Sequence, residues 1–97
     1  MRHNINKDQK SKAKKVLSEN ILGIRSELGL SQREISNRAS MSRSYFSEVE
    51  RGTREPSLQT LECMADALGV EVWQLVKPYE LHEIKYLCSK IQRDLKP

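Results

Sequence analysis

Apolar residues recur at helical spacing along almost the whole chain. Val16, Leu17, Ile21, Ile24 and Leu28 fall three or four residues apart with Lys, Glu and Arg between them, which predicts a helix over residues 11–28. Gly29 stands where a helix C-terminal glycine belongs. The sequence Ser31-Gln32-Arg33-Glu34 is a capping box, Leu30 precedes it as a staple, and Ile35 and Ala39 follow at i, i+4. A short second helix ending near Ala39 is therefore expected. Ser40-Met41-Ser42 is a tight polar connection to a third helix over residues 43–51, with Ser42 at its N-cap. Phe46 and Val49 face inward, Arg43, Ser44, Ser47, Glu48 and Arg51 lie on the other side, and Gly52 closes the helix. Pro56 marks a loop. Ser57 opens a fourth helix whose inner stripe reads Leu58, Leu61, Met64, Ala65 and Leu68, ended by Gly69. Residues 70–76 form a brief fifth helix with Trp73 and Leu75, and Pro78 stops it. With no period-2 segment and no hairpin dipeptide, the chain reads as all-α.

Residues 79–95 differ in character. Leu81, Ile84, Cys88, Ile91 and Leu95 are spaced 3, 4, 3 and 4, an a/d stripe over two heptads flanked by Glu80, Glu83, Lys85, Lys90 and Arg93. Two coverings are open for this C-terminal amphipathic helix: the stripe packs back on the body, or it pairs with its copy in a second chain.

The chain has 97 residues, 37% of them apolar and 31% charged. That suffices for one small helical domain and one appended element, not for a large substrate cavity. The net charge of +4 is unevenly spread. Residues 1–56 carry twelve Lys/Arg and seven Asp/Glu, whereas residues 57–97 carry five and six. Residues 2–15 alone hold six bases against Asp8. This basic N-terminal stretch is either a solvated, mobile terminus or an arm reaching toward phosphates. Cys63 and Cys88 lie outside any CxxC, and both are expected as buried free thiols in a reducing cytoplasm. No apolar run approaches a membrane span, and the first residues lack the apolar stretch of a secretory signal.

Two short helices joined by a tight turn, the second with an apolar inner face and an Arg/Ser/Glu outer face, suggest a helix-turn-helix. SQREISNRASMSRSYFSEVERG, residues 31–52, resembles the helix-turn-helix of the phage-repressor-like (XRE) transcription regulators, and TREPSLQTLECMADALGV, residues 53–70, resembles that family's fourth helix and its approach. The resemblance covers about residues 21–76. It implies a five-helix domain, here over residues 15–77, and the basic N-terminal arm over 1–14 and the C-terminal helix over 78–97 lie outside it. It further implies that the third helix lies in the major groove of double-stranded DNA. By position, Arg43, Ser44, Ser47 and Glu48 correspond to base contacts, and Gln32, Ser42, Tyr45, Arg51 and Arg54 to phosphate contacts. Arg25 and Glu50 correspond to a structural ion pair between helices one and three. SRSYFSEVERG also resembles the controller proteins of restriction-modification systems, an ordinary phage or plasmid repressor being the alternative. Activators of the family carry acidic residues on helix two that touch RNA polymerase. Arg33 and Asn37 occupy those places, which tilts the reading toward repression.

The residue chemistry runs parallel to the resemblance. An arginine fork matches guanine O6 and N7, and a glutamate among phosphates is useful only where it accepts from a cytosine amine. Glu48 is thus a specific reader or a solvent-facing residue, and Tyr45 packs inward or offers its hydroxyl to a phosphate. A single short helix reads few base pairs, so specific binding asks for two copies on a roughly palindromic operator, with half-sites about 34 Å apart. Two surfaces are available for a homodimer: Val72, Trp73 and Val76, and the stripe Leu81, Ile84, Cys88, Ile91 and Leu95. Trp73 itself is expected more in the core than at an interface. His3 and His82 are isolated, the four glycines are single, and no GxSxG occurs, so no enzyme, metal site, cofactor or small-molecule ligand is expected. The rival readings are a protein-binding antitoxin or coactivator and a sequence-neutral nucleoid binder. The polar outer face of the third helix favours DNA over the aromatic, Met-rich centre of a protein interface.

Overall fold

A computed structural model describes the backbone of residues 7–95 and the side chains of residues 12–91. Six helices follow in order: α1 (Lys7–Leu28), α2 (Gln32–Arg38), α3 (Arg43–Arg51), α4 (Leu58–Leu68), α5 (Val72–Val76) and α6 (Leu81–Leu95). There is no strand among the described residues. The serines at 31, 42 and 57 are N-caps, each accepting a backbone N–H three residues on. At Ser31 the bond is reciprocated, since the Ser31 N–H donates to Glu34 Oε1 at 2.8 Å. Gly52 and Gly69 end α3 and α4 at φ 79°, a left-handed conformation that glycine adopts without steric cost.

The core gathers one face from every helix. Ile21, Ile24, Ile35, Phe46, Met64, Leu68 and Leu75 are fully buried, and such side chains stabilise by roughly 1.5–3 kcal/mol each. α1 is the spine, packing against α3, α5 and α6, while α2 packs on α3 and α4. Three polar side chains among the described residues are buried with it: Asn20, Ser36 and Glu50. Asn20 donates its amide to the carbonyls of Leu75 at 2.8 Å and Lys77 at 2.7 Å, closing the end of α5 against α1.

Several expectations are corrected. α1 reaches back to Lys7, so residues 7–14 extend a helix; residues 1–6 of the expected arm lie outside the described residues. Leu58 is 76% exposed, because an N1 residue projects beyond the contact between α4 and its neighbours. Trp73 is 60% exposed: on the five-residue α5 the inward position is taken by Leu75. Cys63 is exposed, whereas Cys88 is buried. Burial and the nearby Glu27 charge push the Cys88 thiol up to about 11.

The terminal stripe is used within the chain. Cys88 and Ile91 are buried in the core, and Ile84 is half-buried against it. A Cβ on Gly23 would stand 3.2 Å from Ile84 Cδ1, and one on Gly69 would stand 3.1 Å from Ile91 Cγ2, so α6 approaches both glycines closely. The Cys88 thiol points at the Ile24 carbonyl, 3.8 Å away. Cys88 and Ile91 are therefore unavailable to a dimer surface. Leu81 is 68% exposed, and the Leu95 side chain lies outside the described residues.

In the turn between α2 and α3, Ser40 adopts φ 57°. The left-handed region costs a non-glycine residue about 1–2 kcal/mol. Ser40→Gly relieves this but adds entropy to the unfolded chain. A net gain near 0.5–1 kcal/mol is expected, read as a rise of a few degrees in the thermal midpoint. A midpoint that falls would refute the strain.

Candidate nucleic-acid interface

Ile35 on α2 and its C-cap residue Ala39 join Phe46 and Val49 on α3 in the core. This contact sets the two helices at a fixed angle and turns the opposite flank of α3 outward. Arg43, Ser44, Ser47, Glu48 and Arg51 then line, with Gln32 at the start of α2, a shallow groove of about 370 Å³. Arg43 and Ser44 are exposed and have no side-chain partner among the described residues. Arg51 Nη1 donates to Ser47 Oγ at 2.7 Å, one turn back on the same helix. The Ser42 hydroxyl caps α3 by accepting the Tyr45 N–H at 3.1 Å.

Two carboxylates lie on or beside this face, and both are neutralised. Glu50 is buried behind it. Its Oε2 accepts from Arg25 Nε at 2.6 Å, and its Oε1 from Arg25 Nη2 at 3.2 Å and Gln32 Nε2 at 2.6 Å. Arg25 spends a third donor on the Leu30 carbonyl at 2.8 Å, joining α1, the α2 entrance and α3 in one network. Glu48 is more open. Its Oε1 takes both Nε and Nη2 of Arg54, each at 2.9 Å, and the Arg54 guanidinium lies 5.3 Å from the Tyr45 ring centroid. Tyr45 is half-buried against the core, so its ring supports Arg54. Thr53 donates its N–H at 2.9 Å and its hydroxyl at 3.1 Å to the Glu48 carbonyl, finishing the helix. What remains facing outward is Arg43, Arg51 and the serine hydroxyls, a cationic, hydrogen-bonding strip suited to phosphates and base edges.

The other surface singled out in the sequence lies around α5. Trp73 and Val76 are exposed there, Val72 is half-buried, and Leu81 projects from the first turn of α6. Tyr86, 65% exposed, belongs to the same surface and was not anticipated, since it falls off the a/d stripe. Trp73, Tyr79 and Tyr86 are among the residues lining a cleft of about 320 Å³. The Tyr79 hydroxyl is buried without a partner among the described residues, and burial raises its pKa above the usual tyrosine value. The described residues hold no group of three or more potential metal ligands, and no helix of theirs is long and apolar enough to cross a membrane.

The profile of the family described as "Helix-turn-helix domain" matches residues 23–74. The chain is 42% identical over 65 residues to the uncharacterized HTH-type transcriptional regulator y4dJ of Sinorhizobium fredii, covering 67% of this chain and 84% of that one. It is 42% identical over 60 residues to the immunity repressor protein of Bacillus phage phi105, covering 62% of this chain but 42% of the repressor. Among solved structures, the hypothetical transcription factor NHTF from Neisseria superposes with a TM-score of 0.66 at 32% identity, over 89% of this chain and 95% of that chain.

Proposed function

The chain belongs to the helix-turn-helix family of DNA-binding transcriptional regulators, of the phage-repressor-like kind and not enzymes, and from that premise we propose that it is a repressor binding a two-fold-symmetric operator as a homodimer. The observation carrying this reading is the outward strip of α3, where Arg43 stands unengaged while the acidic residues are tied up by Arg25 and Arg54. Arg43, Ser44 and Ser47 meet base edges in the major groove. Gln32, Ser42, Arg51 and Arg54 meet phosphates, and Tyr45 acts by holding Arg54. Glu48, with both its arginine bonds on one oxygen, keeps the other free for a cytosine amine.

The nine residues of α3 extend about 13 Å, enough for about four base pairs. Two copies on half-sites about 34 Å apart supply the rest of the specificity. The exposed aromatic and apolar group Trp73, Val76, Leu81 and Tyr86 is the surface that supports pairing, since monomers seldom expose such groups together and interfaces are enriched in them. Repression is supported by the exposed Arg33 and Asn37 on α2, which offer no acidic patch to polymerase, and by the phage immunity repressor among the relatives.

Selection of bound sequences from a random duplex pool tests the reading. An inverted repeat is the expected product, and a promoter carrying it falls in output when the protein is present. No enriched sequence would sink the proposal, and a lone half-site would sink the dimer. On the selected duplex, Arg43→Ala is expected to cost about 1–3 kcal/mol and to relax preference at one base pair per half-site. Equal losses on random DNA would reassign Arg43 to the backbone.

A further inference from the structure

The helix-turn-helix match begins at residue 23, yet α1 starts sixteen residues earlier, at Lys7. Lys14 and Lys15, on the part of α1 upstream of that match, lie beside the end of α3: with Ser18, Arg51 and Gly52 they line one concavity. Arg51 also lines the groove on the outer flank of α3. The two surfaces therefore meet through a single guanidinium.

Packing holds this arrangement in place. α1 packs directly on α3, and a Cβ at Gly52 would be in contact with Ser18, 3.5 Å from its Oγ. Leu17 and Ile21 anchor the same stretch of α1 in the core. The lysines are thus presented by a helix fixed at its far end, and little ordering is needed before they act. Among the described residues, neither Lys14 nor Lys15 pairs with a carboxylate. Glu19 stands one turn beyond Lys15, and Glu55 shares a separate depression with Lys14 and Val76.

We infer that Lys14 and Lys15, with Arg51, form a second phosphate-binding surface, carried by the upstream turns of α1 and placed to grip duplex backbone beyond the end of α3. This rests on the reading of α3 as the DNA-contacting helix. Duplex DNA carries one charge per about 1.7 Å of axis, so a cationic strip continuing past the end of α3 meets phosphates rather than a gap. Two lysines contribute point charges without sequence preference, so this surface adds affinity and footprint, not specificity.

The test compares the full chain with its K14Q/K15Q variant on the selected operator in a long duplex, with about ten flanking base pairs per side. On the long duplex the variant is expected to bind about tenfold or more weakly at 0.1 M salt, with the slope of log K against log salt reduced by nearly two per protomer. Its base preferences and thermal midpoint are expected to be unchanged. Equal slopes and affinities on the long duplex would overturn the inference while leaving the α3 reading intact. A wild type that selects no sequence would instead remove the reading on which it rests.

Discussion

Glu50→Ala is expected to lose about 3 kcal/mol of unfolding free energy, the low end of what breaking a buried ion pair costs. The carboxylate accepts three hydrogen bonds, two from Arg25 and one from Gln32, and only 6% of its side chain meets solvent. Removing it leaves the Arg25 guanidinium, itself 17% exposed, with the Leu30 carbonyl as its remaining partner. A charge held in that position without a counter-ion is the costly species, and its partial access to water sets the loss at the lower end of the range. For a domain of this size the thermal midpoint should fall by roughly 15 °C. Urea unfolding reads the same quantity as a lower midpoint at unchanged slope. Replacing both partners, Arg25→Met with Glu50→Leu, should recover much of the loss, because no buried charge is then left over. The double variant should still bind operator DNA more weakly than wild type, since Gln32 no longer has the acceptor that aims its amide. A Glu50→Ala protein within 1 kcal/mol of wild type would show that the network contributes little.

The elements easiest to read from the sequence were those with their own punctuation. Ser31, Ser42 and Ser57 each bring a hydroxyl to a helix start, and Gly52 and Gly69 each supply a left-handed end, so α2, α3 and α4 are bounded by local chemistry. The outward placement of Arg43, Ser44, Ser47, Glu48 and Arg51 follows from Phe46 and Val49 occupying the other side of a nine-residue helix. Where local chemistry is silent, the sequence leaves alternatives open or assigns the wrong face. Periodicity marks Leu81, Ile84, Cys88, Ile91 and Leu95 as one apolar face but is indifferent to what covers it. The answer, α1 at Gly23 and Ile24, is about sixty residues away in sequence. Trp73 sits on a helix of five residues, too short for a period to assign a face, and Leu75 takes the inward place. The start of α1 carries no cap, and a run of lysines reads equally as a mobile tail or a helix. The pairing of Glu48 with Arg54 crosses the end of α3 into a loop whose path no spacing predicts.

Asn20 is the clearest residue of this last kind, and Asn20→Leu is expected to cost about 2–4 kcal/mol. Its amide donates to carbonyls 55 and 57 residues downstream, and it is 4% exposed. Leucine fills similar space but donates nothing, so the Leu75 and Lys77 carbonyls both lose a partner. Each buried acceptor left unsatisfied costs about 1–3 kcal/mol, partly recovered where water reaches the chain end near Lys77. α5 has five residues and little else to hold its last turn, so the damage should be local first. Hydrogen exchange is expected to accelerate in α5 and the first turn of α6 at denaturant levels where α2 and α3 stay protected. The exposed group of Trp73, Val76 and Leu81 is carried on that segment. Loosening it should therefore weaken self-association in sedimentation while a monomer's hold on a single half-site is little changed. That split separates a residue that presents the pairing surface from one that supports the whole core, because a core defect such as Phe46→Ala would lower both together. Uniform faster exchange throughout the chain, or association equal to wild type, would count against the role assigned to Asn20.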